Sequence, residues 1–265
     1  MLALQRHREI LNILSNEGQV RVTDLARRFD VTEETVRRDL VSLESHSRLV
    51  RTHGGAVPAG NDSMHEQPYW EREFFLSDEK LAIARTAVAL VEPGETVMID
   101  GSSTALCVAR ELPDMELTVL TNSLQVALTL ADRESIEIVG IGGSLSRYSL
   151  SFAGSTAVNA LLNYHVNTLF FSCRGISLDT GLSDANEEQA VLRKNMLKTS
   201  SKRILLADHA KFNVKALRRI AGFEEIDMLI TDGSVDDTIV DELKDRGLEI
   251  KVATSYKKNV NMEKV

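Results

Sequence analysis

Residues 31–43 read VTEETVRRDLVSL, and this stretch predicts a capped, amphipathic helix. Thr32 occupies the position of an N-cap, where a hydroxyl satisfies a free backbone N–H. The apolar residues that follow recur at helical spacing and predict one buried face, formed by Val36, Leu40 and Leu43. The opposite face is polar and carries Glu34, Thr35, Arg37 and Arg38. Such a helix fits the major groove of DNA, because arginine reaches both phosphates and guanine edges there.

The residues before this helix predict two shorter helices. The first covers Leu4–Asn16 and ends at Gly18, and the second begins at a Thr23 cap and has an apolar inner face. A tight turn at Asp30–Val31 leads into the third helix. Two short helices, a tight turn and an arginine-bearing third helix are typical of a helix-turn-helix, whose partner is double-stranded operator DNA.

The residues after the third helix predict a short β-hairpin, or wing. Residues 49–57 read LVRTHGGAV, with alternating side-chain character and paired glycines that allow positive φ angles at a turn. We expect Arg51 and His53 to lie along the DNA backbone or in the minor groove, although His53 is equally compatible with a surface position that has no DNA role. Arg37 and Arg38 alone are typical of a solvated helix face, but the cap, the buried stripe and the wing together favour DNA contact. The predicted DNA-binding residues are Thr32, Glu34, Thr35, Arg37, Arg38, Arg51 and His53.

The charge of the chain is unevenly distributed. The net charge is −8, but residues 1–58 hold nine basic and eight acidic residues, whereas the rest of the chain holds 22 basic and 31 acidic ones. An arginine-bearing module on an acidic body fits a protein that touches DNA through one small face.

The composition excludes several other classes of protein. No apolar run has the length of a membrane span, and the first residues do not resemble a secretory signal. Cys107 and Cys173 are far apart and have no metal-binding spacing, which favours a reducing cytoplasm without a structural disulfide. We therefore expect a cytoplasmic protein with no membrane partner, no metal and no cofactor.

Residues 78–265 alternate short apolar strands with segments of helical period. The predicted strands are Thr96–Ile99, Leu117–Leu120, Ile136–Val139, Thr168–Phe171, Arg203–Leu206 and Met228–Thr231. The predicted helices are Ala105–Leu112, Leu124–Ala131, Ala157–Leu162, Ala190–Thr199 and Val235–Arg246. This alternation predicts an α/β domain with a mainly parallel sheet and helices on both faces. We expect an α+β winged helix-turn-helix domain over residues 1–58, a linker over 59–77, and an α/β domain for effector binding and oligomerisation over 78–265.

Small, polar or charged residues follow five of the predicted strands. They are Asp100–Thr104, Thr121–Ser123, Gly142–Gly143, Ser172–Gly175 and Asp208–Lys211. In a parallel sheet such loops meet at one edge, where α/β proteins bind their ligands. The loops at 101–104 and 121–123 each carry hydroxyls in front of a helix, and free N–H groups and the helix dipole favour an anion there.

These loops suit a phosphorylated polyhydroxy compound. Asp100 and Asn122 are candidates to hold sugar hydroxyls, and Arg174 and Lys211 to offset phosphate charge. Each loop taken alone is better explained by ordinary helix N-caps. The five loops together favour a binding site.

The first domain also resembles the signature of DeoR-type bacterial repressors. The resemblance rests on Val31–Leu40, Leu43–Glu44 and Arg51–Ala56, and on the spacing between them. One departure is Ser47, where the family usually has glycine after the recognition helix.

The second domain resembles the effector domain of the same family, which is related in fold to ribose-5-phosphate isomerase and to glucosamine-6-phosphate deaminase. The matching residues are Glu79–Lys80 with Ile83–Ala84, Asp100 with Ser103–Thr104, Thr121–Ser123, Gly142–Gly143, Gly175–Ile176 with Gly181–Leu182, Glu187 or Glu188 before Lys194, and Asp208 with Lys211–Phe212. Ser102 stands where the commoner pattern has glycine, and Gly101 precedes it. The resemblance implies a phosphorylated sugar or polyol as effector. The candidate effector-binding residues are Asp100, Gly101, Ser102, Ser103, Thr104, Thr121, Asn122, Ser123, Gly142, Gly143, Arg174, Gly175, Glu187, Lys194, Asp208 and Lys211.

The predicted function is that of a regulator which represses a carbohydrate-utilisation operon, binds DNA as a homo-oligomer (a dimer or tetramer), and is not an enzyme. Two alternatives remain open. One is a sugar-phosphate isomerase or deaminase on the same fold, with acid–base candidates Asp100, Glu187, Glu188, Lys194 and Asp208. The other is a second domain that serves only for oligomerisation.

Overall fold

The computed structural model describes residues 3–45, 49–58, 69–75 and 77–254. The described residues divide into two compact units, the first containing residues 3–58 and the second residues 69–73 and 77–254. The departure at Ser47 lies outside the described residues.

The first unit is a three-helix domain with a small antiparallel sheet. Its helices are α1 (Ala3–Glu17), α2 (Val22–Phe29) and α3 (Glu33–Ser45). Its strands are β1 (Val20–Arg21), β2 (Leu49–Thr52) and β3 (Gly55–Pro58), in the sheet order β1-β3-β2. The predicted helix-turn-helix and wing are therefore confirmed.

The turns of this unit follow from local chemistry. Asp30 adopts a left-handed conformation (φ 52°) that ends α2, as expected for the tight turn. The prediction that Thr23 caps α2 is wrong, because α2 begins one residue earlier and has no side-chain cap. There the N–H of Val22 donates instead to the carbonyl of Gly54 in the wing at 2.9 Å.

One apolar core joins the elements of the first unit. Ile10 comes from α1, Phe29 from α2, Val36 and Leu40 from α3, and Leu49 from the wing, and all are buried. The stripe predicted for α3 is thus the part of that helix that faces the core.

The second unit is built on a seven-stranded sheet in which all neighbouring strands are parallel, in the order β15-β14-β12-β9-β4-β5-β6. These strands are β4 (Thr96–Ile99), β5 (Leu117–Thr121), β6 (Ile136–Gly140), β9 (Val166–Phe171), β12 (Ser200–Ala207), β14 (Met228–Asp232) and β15 (Glu249–Ala253). A hairpin and a second sheet of order β10-β11-β13 accompany it. Their strands are β7 (Ser144–Ser146), β8 (Ser151–Ala153), β10 (Gly175–Ser177), β11 (Gly181–Asp184) and β13 (Arg218–Ala221).

Helices cover both faces of the large sheet. They are α5 (Ser77–Val88), α6 (Ser103–Glu111), α7 (Leu124–Leu130), α8 (Ser155–Leu161), α9 (Glu187–Thr199) and α10 (Asp237–Asp245), and α4 (Tyr69–Phe74) precedes them. Neighbouring residues of β9 show the two faces directly, since Phe170 and Phe171 belong to separate buried clusters. The predicted parallel sheet with helices on both faces is confirmed.

Several elements differ from the sequence-based expectation. Residues 69–74, assigned to the linker, form helix α4. Helix α5, the edge strand β15 and the short strands of the β7–β8 hairpin and of the second sheet were not predicted. The short strands of the hairpin and second sheet contain serine, glycine or charged residues and lack the apolar runs that mark the strands of the large sheet. Among the described residues, no helix combines the length and the apolar character that a membrane crossing requires.

Candidate DNA-binding face and effector site

The predicted DNA-binding residues of α3 lie on its outer side and form, with two wing residues, what we call the DNA face: Thr32, Glu34, Thr35, Arg37, Arg38, Arg51 and His53. Thr32 caps α3 as predicted, because its Oγ1 accepts the N–H of Thr35 at 3.2 Å. The two threonine hydroxyls also lie 3.0 Å apart. The first turn of α3 is therefore fixed by its own side chains.

The two adjacent arginines project away from the core. The side chains of Arg37 and Arg38 are 54% and 80% exposed. Each pairs with the glutamate four residues before it. Arg37 Nη2 lies 2.6 Å from Glu33 Oε2, and Arg38 Nε lies 3.3 Å from Glu34 Oε1. The orientation needed for DNA contact is present, and the contact itself stays a prediction.

The wing is tied to the end of α3 by one carboxylate. The backbone N–H and the Nε–H of Arg51 donate to the two oxygens of Glu44, at 3.1 and 2.6 Å. These two hydrogen bonds hold the pKa of Glu44 below its usual range. His53 is exposed at the turn between β2 and β3.

Asp39, which follows the two arginines, is not on the DNA face. It is buried, and its carboxylate accepts hydrogen bonds from Arg6 Nε and Nη2 at 2.7 and 3.1 Å. His7 Nε2 lies 2.9 Å from the same carboxylate. Asp39 therefore ties α1 to α3. Its position three residues after Val36, on the buried side of the stripe, is the signal in the sequence that identifies it.

In the second unit, the loops after β4, β5, β6, β9 and β12 lie at the carboxyl end of the same parallel sheet, as predicted, and we call this region the carboxyl edge. Asp100 is fully buried there. Its Oδ1 accepts the N–H of Ser102 at 3.0 Å, and its Oδ2 accepts from Arg193 Nε at 2.8 Å and from the N–H of Ser172 at 3.4 Å. Both oxygens thus accept hydrogen bonds from within the protein, so Asp100 shapes the site.

Arg193 of α9 is a residue that the sequence analysis missed. It is buried and bridges two carboxylates, because its Nη1 lies 2.6 Å from Asp184 Oδ2 while its Nε contacts Asp100. Burial works against the charged form, but Asp184 and Asp100 outweigh it and raise the pKa of Arg193. One turn earlier on α9, Gln189 donates to the hydroxyls of Ser149 and Ser151 at 3.3 and 2.9 Å. Helix α9 therefore contacts both the loop after β4 and the β7–β8 hairpin.

The two hydroxyl-rich loops contain both caps and uncommitted groups. Ser102 caps α6 and Ser123 caps α7, each accepting an N–H three residues on at 3.1 and 3.2 Å. Thr121 Oγ1 donates to the carbonyl of Ile99 at 2.7 Å. Ser103 lies in the first turn of α6. Thr104 Oγ1 and Asn122 Oδ1 are buried and have no hydrogen-bond partner among the described residues.

Glycines allow the close approach of backbone at this edge. A Cβ on Gly101 would lie 2.6 Å from the Cβ of Ser151, so a side chain does not fit between the two loops. Gly143 has φ +149°, and a Cβ there would lie 2.5 Å from the carbonyl oxygen of Ala153. Gly142 is exposed, and Gly175 is the buried first residue of β10.

A cationic group lies on the β12 side of the carboxyl edge. Lys211 Nζ donates to the carbonyl of Cys173 at 3.0 Å and lies 3.8 Å from Asp208 Oδ2. Asp208 is buried and accepts the N–H of Ala210 at 3.2 Å. Arg174 is half-buried in the loop after β9.

Lys80 of α5 joins this group and was not assigned to the site from the sequence. It is buried, and its ammonium donates to the carbonyl of Arg72 in α4. Burial lowers the pKa of Lys80 to about 8, with Asp208 opposing the shift and Lys211 adding to it. Lysine is rare at fully buried positions, so the sequence alone favours an exposed Lys80, although Ile83, Ala84 and Ala87 lie on the same buried face of α5.

Two predicted residues of α9 are not brought to the buried part of this edge. Glu187 is exposed in the first turn of α9 and pairs with Arg218 at 2.6 Å. Lys194 is exposed on α9, next to the buried Arg193. The structure thus places the buried cation of α9 one residue before the lysine that the resemblance suggested.

A histidine–aspartate pair lies beyond β12 and β14. Asp232 accepts the N–H of His209 at 2.7 Å, and its second oxygen lies 2.9 Å from His209 Nδ1. The hydrogen bond to Asp232 raises the pKa of His209. Burial raises the pKa of Asp232, but the hydrogen bonds from His209 outweigh it and hold this pKa below its usual range.

Two family descriptions match the two units of the chain. The sequence matches the family described as DeoR-like helix-turn-helix domain over residues 6–60, and the family described as DeoR C terminal sensor domain over residues 76–233. Ribose 5-phosphate isomerase A from Methanocaldococcus jannaschii, a solved structure, aligns at 20% identity and a TM-score of 0.39 over 51% of this chain and 54% of that one.

Three relatives align over nearly their whole length. YulB, an HTH-type transcriptional regulator of Bacillus subtilis, is 41% identical, over 94% of this chain and 96% of that protein. A putative aga operon transcriptional repressor of Escherichia coli O157:H7 is 33% identical, over 93% and 92%. The L-fucose operon activator of Escherichia coli K12 is 31% identical, over 86% and 94%. With both of its units matched in this way, the chain belongs to the DeoR family of DNA-binding transcriptional regulators.

Proposed function

We propose that this regulator represses a carbohydrate-utilisation operon, and that a phosphorylated sugar or polyol bound at the carboxyl edge releases or modulates it. The relatives include a protein named as an operon repressor and another named as the L-fucose operon activator, which supports a role in sugar metabolism. Because these relatives include both a repressor and an activator, their names do not decide between the two. Repression is therefore proposed from the resemblance to DeoR-type repressors alone.

The observation that carries the effector proposal is the position of Lys80. This buried ammonium lies near enough to Asp208, Lys211 and Cys107 of α6 for each of them to affect its pKa. Cys107 is one turn from Ser103, whose carbonyl accepts its thiol at 3.4 Å. Two lysines therefore lie in the neighbourhood of α6, and two positive charges near the start of a helix suit a phosphate group.

The uncommitted polar atoms fit the rest of such a ligand. The Thr104 hydroxyl in the first turn of α6 is available to a phosphate oxygen, and Asn122 Oδ1 is an acceptor for a sugar hydroxyl. In this proposal, Asp100, Arg193 and Gly101 fix the conformation of the loop after β4 and do not contact the ligand. The other predicted effector residues remain proposals of the same kind, with Glu187 and Lys194 placed at its exposed margin.

Thermal stability in the presence of phosphate esters tests this site. A panel of sugar and polyol phosphates is expected to contain at least one compound that raises the melting temperature of the full-length protein, because a ligand that binds only the folded state stabilises it. Lys211→Gln removes the effect, whereas Lys244→Gln, at an exposed lysine of α10, keeps it. If no compound shifts the melting temperature or alters DNA binding, the effector proposal is wrong and the DNA-binding assignment is untouched.

We further propose that the regulator acts as a dimer or tetramer. One helix-turn-helix offers a limited contact area, and pairing on two half-sites is the usual way to reach operator affinity. Light scattering of the free protein and of its DNA complex measures the number of copies, and a monomer in both states contradicts the proposal. The isomerase or deaminase alternative is set aside, since the full-length relatives are named as regulators.

A further inference from the structure

The arginines of the DNA face are all held by glutamates of the same unit. Arg37 pairs with Glu33 and Arg38 with Glu34 along α3, and Arg51 of the wing pairs with Glu44 at the end of α3. Three positive charges are thus matched by three negative ones in the region that meets the duplex.

These ion pairs contribute little to the free energy of unfolding. All six side chains are at least 38% exposed, and exposed ion pairs contribute little because water and salt screen them. Their consequence for DNA is larger, because a phosphate that approaches any of these arginines meets a neutral pair and competes with a carboxylate.

The contact made by Glu44 is the most directed of the three. It receives both the backbone N–H and the Nε–H of Arg51, so one carboxylate sets the path of the wing and occupies one edge of the guanidinium. Glu33 and Glu34 act only on their arginine side chains, at the i,i+4 spacing of a helix.

We propose that Glu33, Glu34 and Glu44 are specificity-determining residues that restrain the arginines of the DNA face from binding phosphates on arbitrary sequences. On a random duplex, a freed guanidinium gains only a phosphate contact. At the operator it also gains base contacts, and these compensate for the loss of its glutamate. Discrimination against the wrong DNA is thus obtained by a repulsive element beside the attractive one.

Non-specific DNA binding tests this proposal without knowledge of the operator. The full-length variants Glu33→Gln, Glu34→Gln and Glu44→Gln keep side-chain size and remove one charge each. Their affinity for a random-sequence duplex of about 30 base pairs is measured by fluorescence anisotropy at several salt concentrations. Each variant is expected to bind more tightly than the wild type at low salt. Each also steepens the slope of log K against log salt by about 0.9, the value for one additional phosphate contact.

Two controls separate this mechanism from a general change in charge. Glu134→Gln removes one exposed carboxylate from the second unit and is expected to leave the slope unchanged. In an Arg37→Gln background, Glu33→Gln is expected to have no further effect on the slope, because the arginine it restrains is gone. The proposal is overturned if the three variants keep the wild-type slope, if Glu134→Gln changes it equally, or if Glu33→Gln acts in full without Arg37.

Discussion

At the scale of single residues, each unit is held together by a buried arginine bonded to aspartate. In the first unit Arg6 and Asp39 join α1 to α3, and in the second Arg193 joins Asp100 to Asp184. A buried charge is tolerated only when it is paired and hydrogen-bonded, so removing one partner costs more than the pair itself contributes. These pairs fix the elements that carry the DNA face and the carboxyl edge.

Replacing Asp39 by asparagine is expected to destabilise α3. Arg6 then loses its counter-charge in a site that is largely shielded from water, at a cost of about 2 kcal/mol, which is roughly a 30-fold loss of protection for the α3 amides. Hydrogen exchange of the full-length protein measures it directly. Asp24→Asn, at an exposed position of α2, is the matched control, and equal losses in the two variants contradict a structural role for Asp39.

The His209–Asp232 pair predicts a pH dependence. The raised pKa of His209 means that its charged form stabilises the fold fully below its ordinary pKa of 6.5, and that this contribution is lost as the pH rises through the raised value. Asp232 has a lowered pKa, so its contribution is present above its ordinary value of 3.8 and lost only as the pH falls through the lowered one. The pair is therefore most stabilising in mild acid.

His209→Gln is the variant that checks this sign. Its melting temperature is expected to fall further below that of the wild type at about pH 5.5 than at about pH 8.5, because more of the wild-type His209 is charged at the lower pH. Asp208 and Glu79 also face His209 and raise its pKa, and both are present in the variant and the wild type alike. A difference that is the same at both pH values excludes a charged pair.

At the scale of elements, the start of α6 depends on one side chain. Ser102 accepts the N–H of Ala105 at 3.1 Å. Ser102→Ala is expected to cost about 1 kcal/mol and Ser102→Gly only a few tenths, because glycine leaves the end of the helix open to water and alanine does not. Denaturant unfolding of both variants provides the comparison, and an alanine variant as stable as the glycine variant contradicts capping by Ser102.

The elements with a strong period are predictable from the sequence, and the irregular ones are not. Helix α3 follows from Val36, Leu40 and Leu43, and six of the seven strands of the large sheet follow from short apolar runs bounded by polar loops. Helix α5 is not predicted from the sequence, although Ile83, Ala84 and Ala87 lie on its buried face. The reason is that Lys80, on the same face, breaks the apolar pattern. A lysine reads as an exposed position until its tertiary partners are known.

The candidate site shows the same division. The polar loops at the carboxyl edge are recognisable because a parallel sheet brings strand ends together, whatever lies between them in the chain. The role of Arg193 is not predictable from the sequence. Asp100 and Asp184 lie 93 and 9 residues from it, and no local pattern indicates that both contact its guanidinium. Long-range charge pairing is a property of the folded chain, and sequence spacing carries no record of it.

At the scale of the whole molecule, the proposed effector and the operator are linked by reciprocity. If a sugar phosphate weakens operator binding by a given factor, operator DNA must weaken sugar-phosphate binding by the same factor, since the two affinities close one thermodynamic cycle. A nearly complete switch needs a difference of about 5 kcal/mol between the two states of the protein.

This reciprocity is measurable with the tightest duplex selected from a random library and the phosphate ester that most raises the melting temperature. We expect the ester to lower duplex affinity and the duplex to lower ester affinity to the same extent in calorimetric titrations. Lys211→Gln, which removes the proposed phosphate contact, keeps duplex affinity and abolishes its response to the ester. An ester that binds tightly yet leaves duplex affinity unchanged has equal affinity for both states, and the second unit then does not control the first through that ligand.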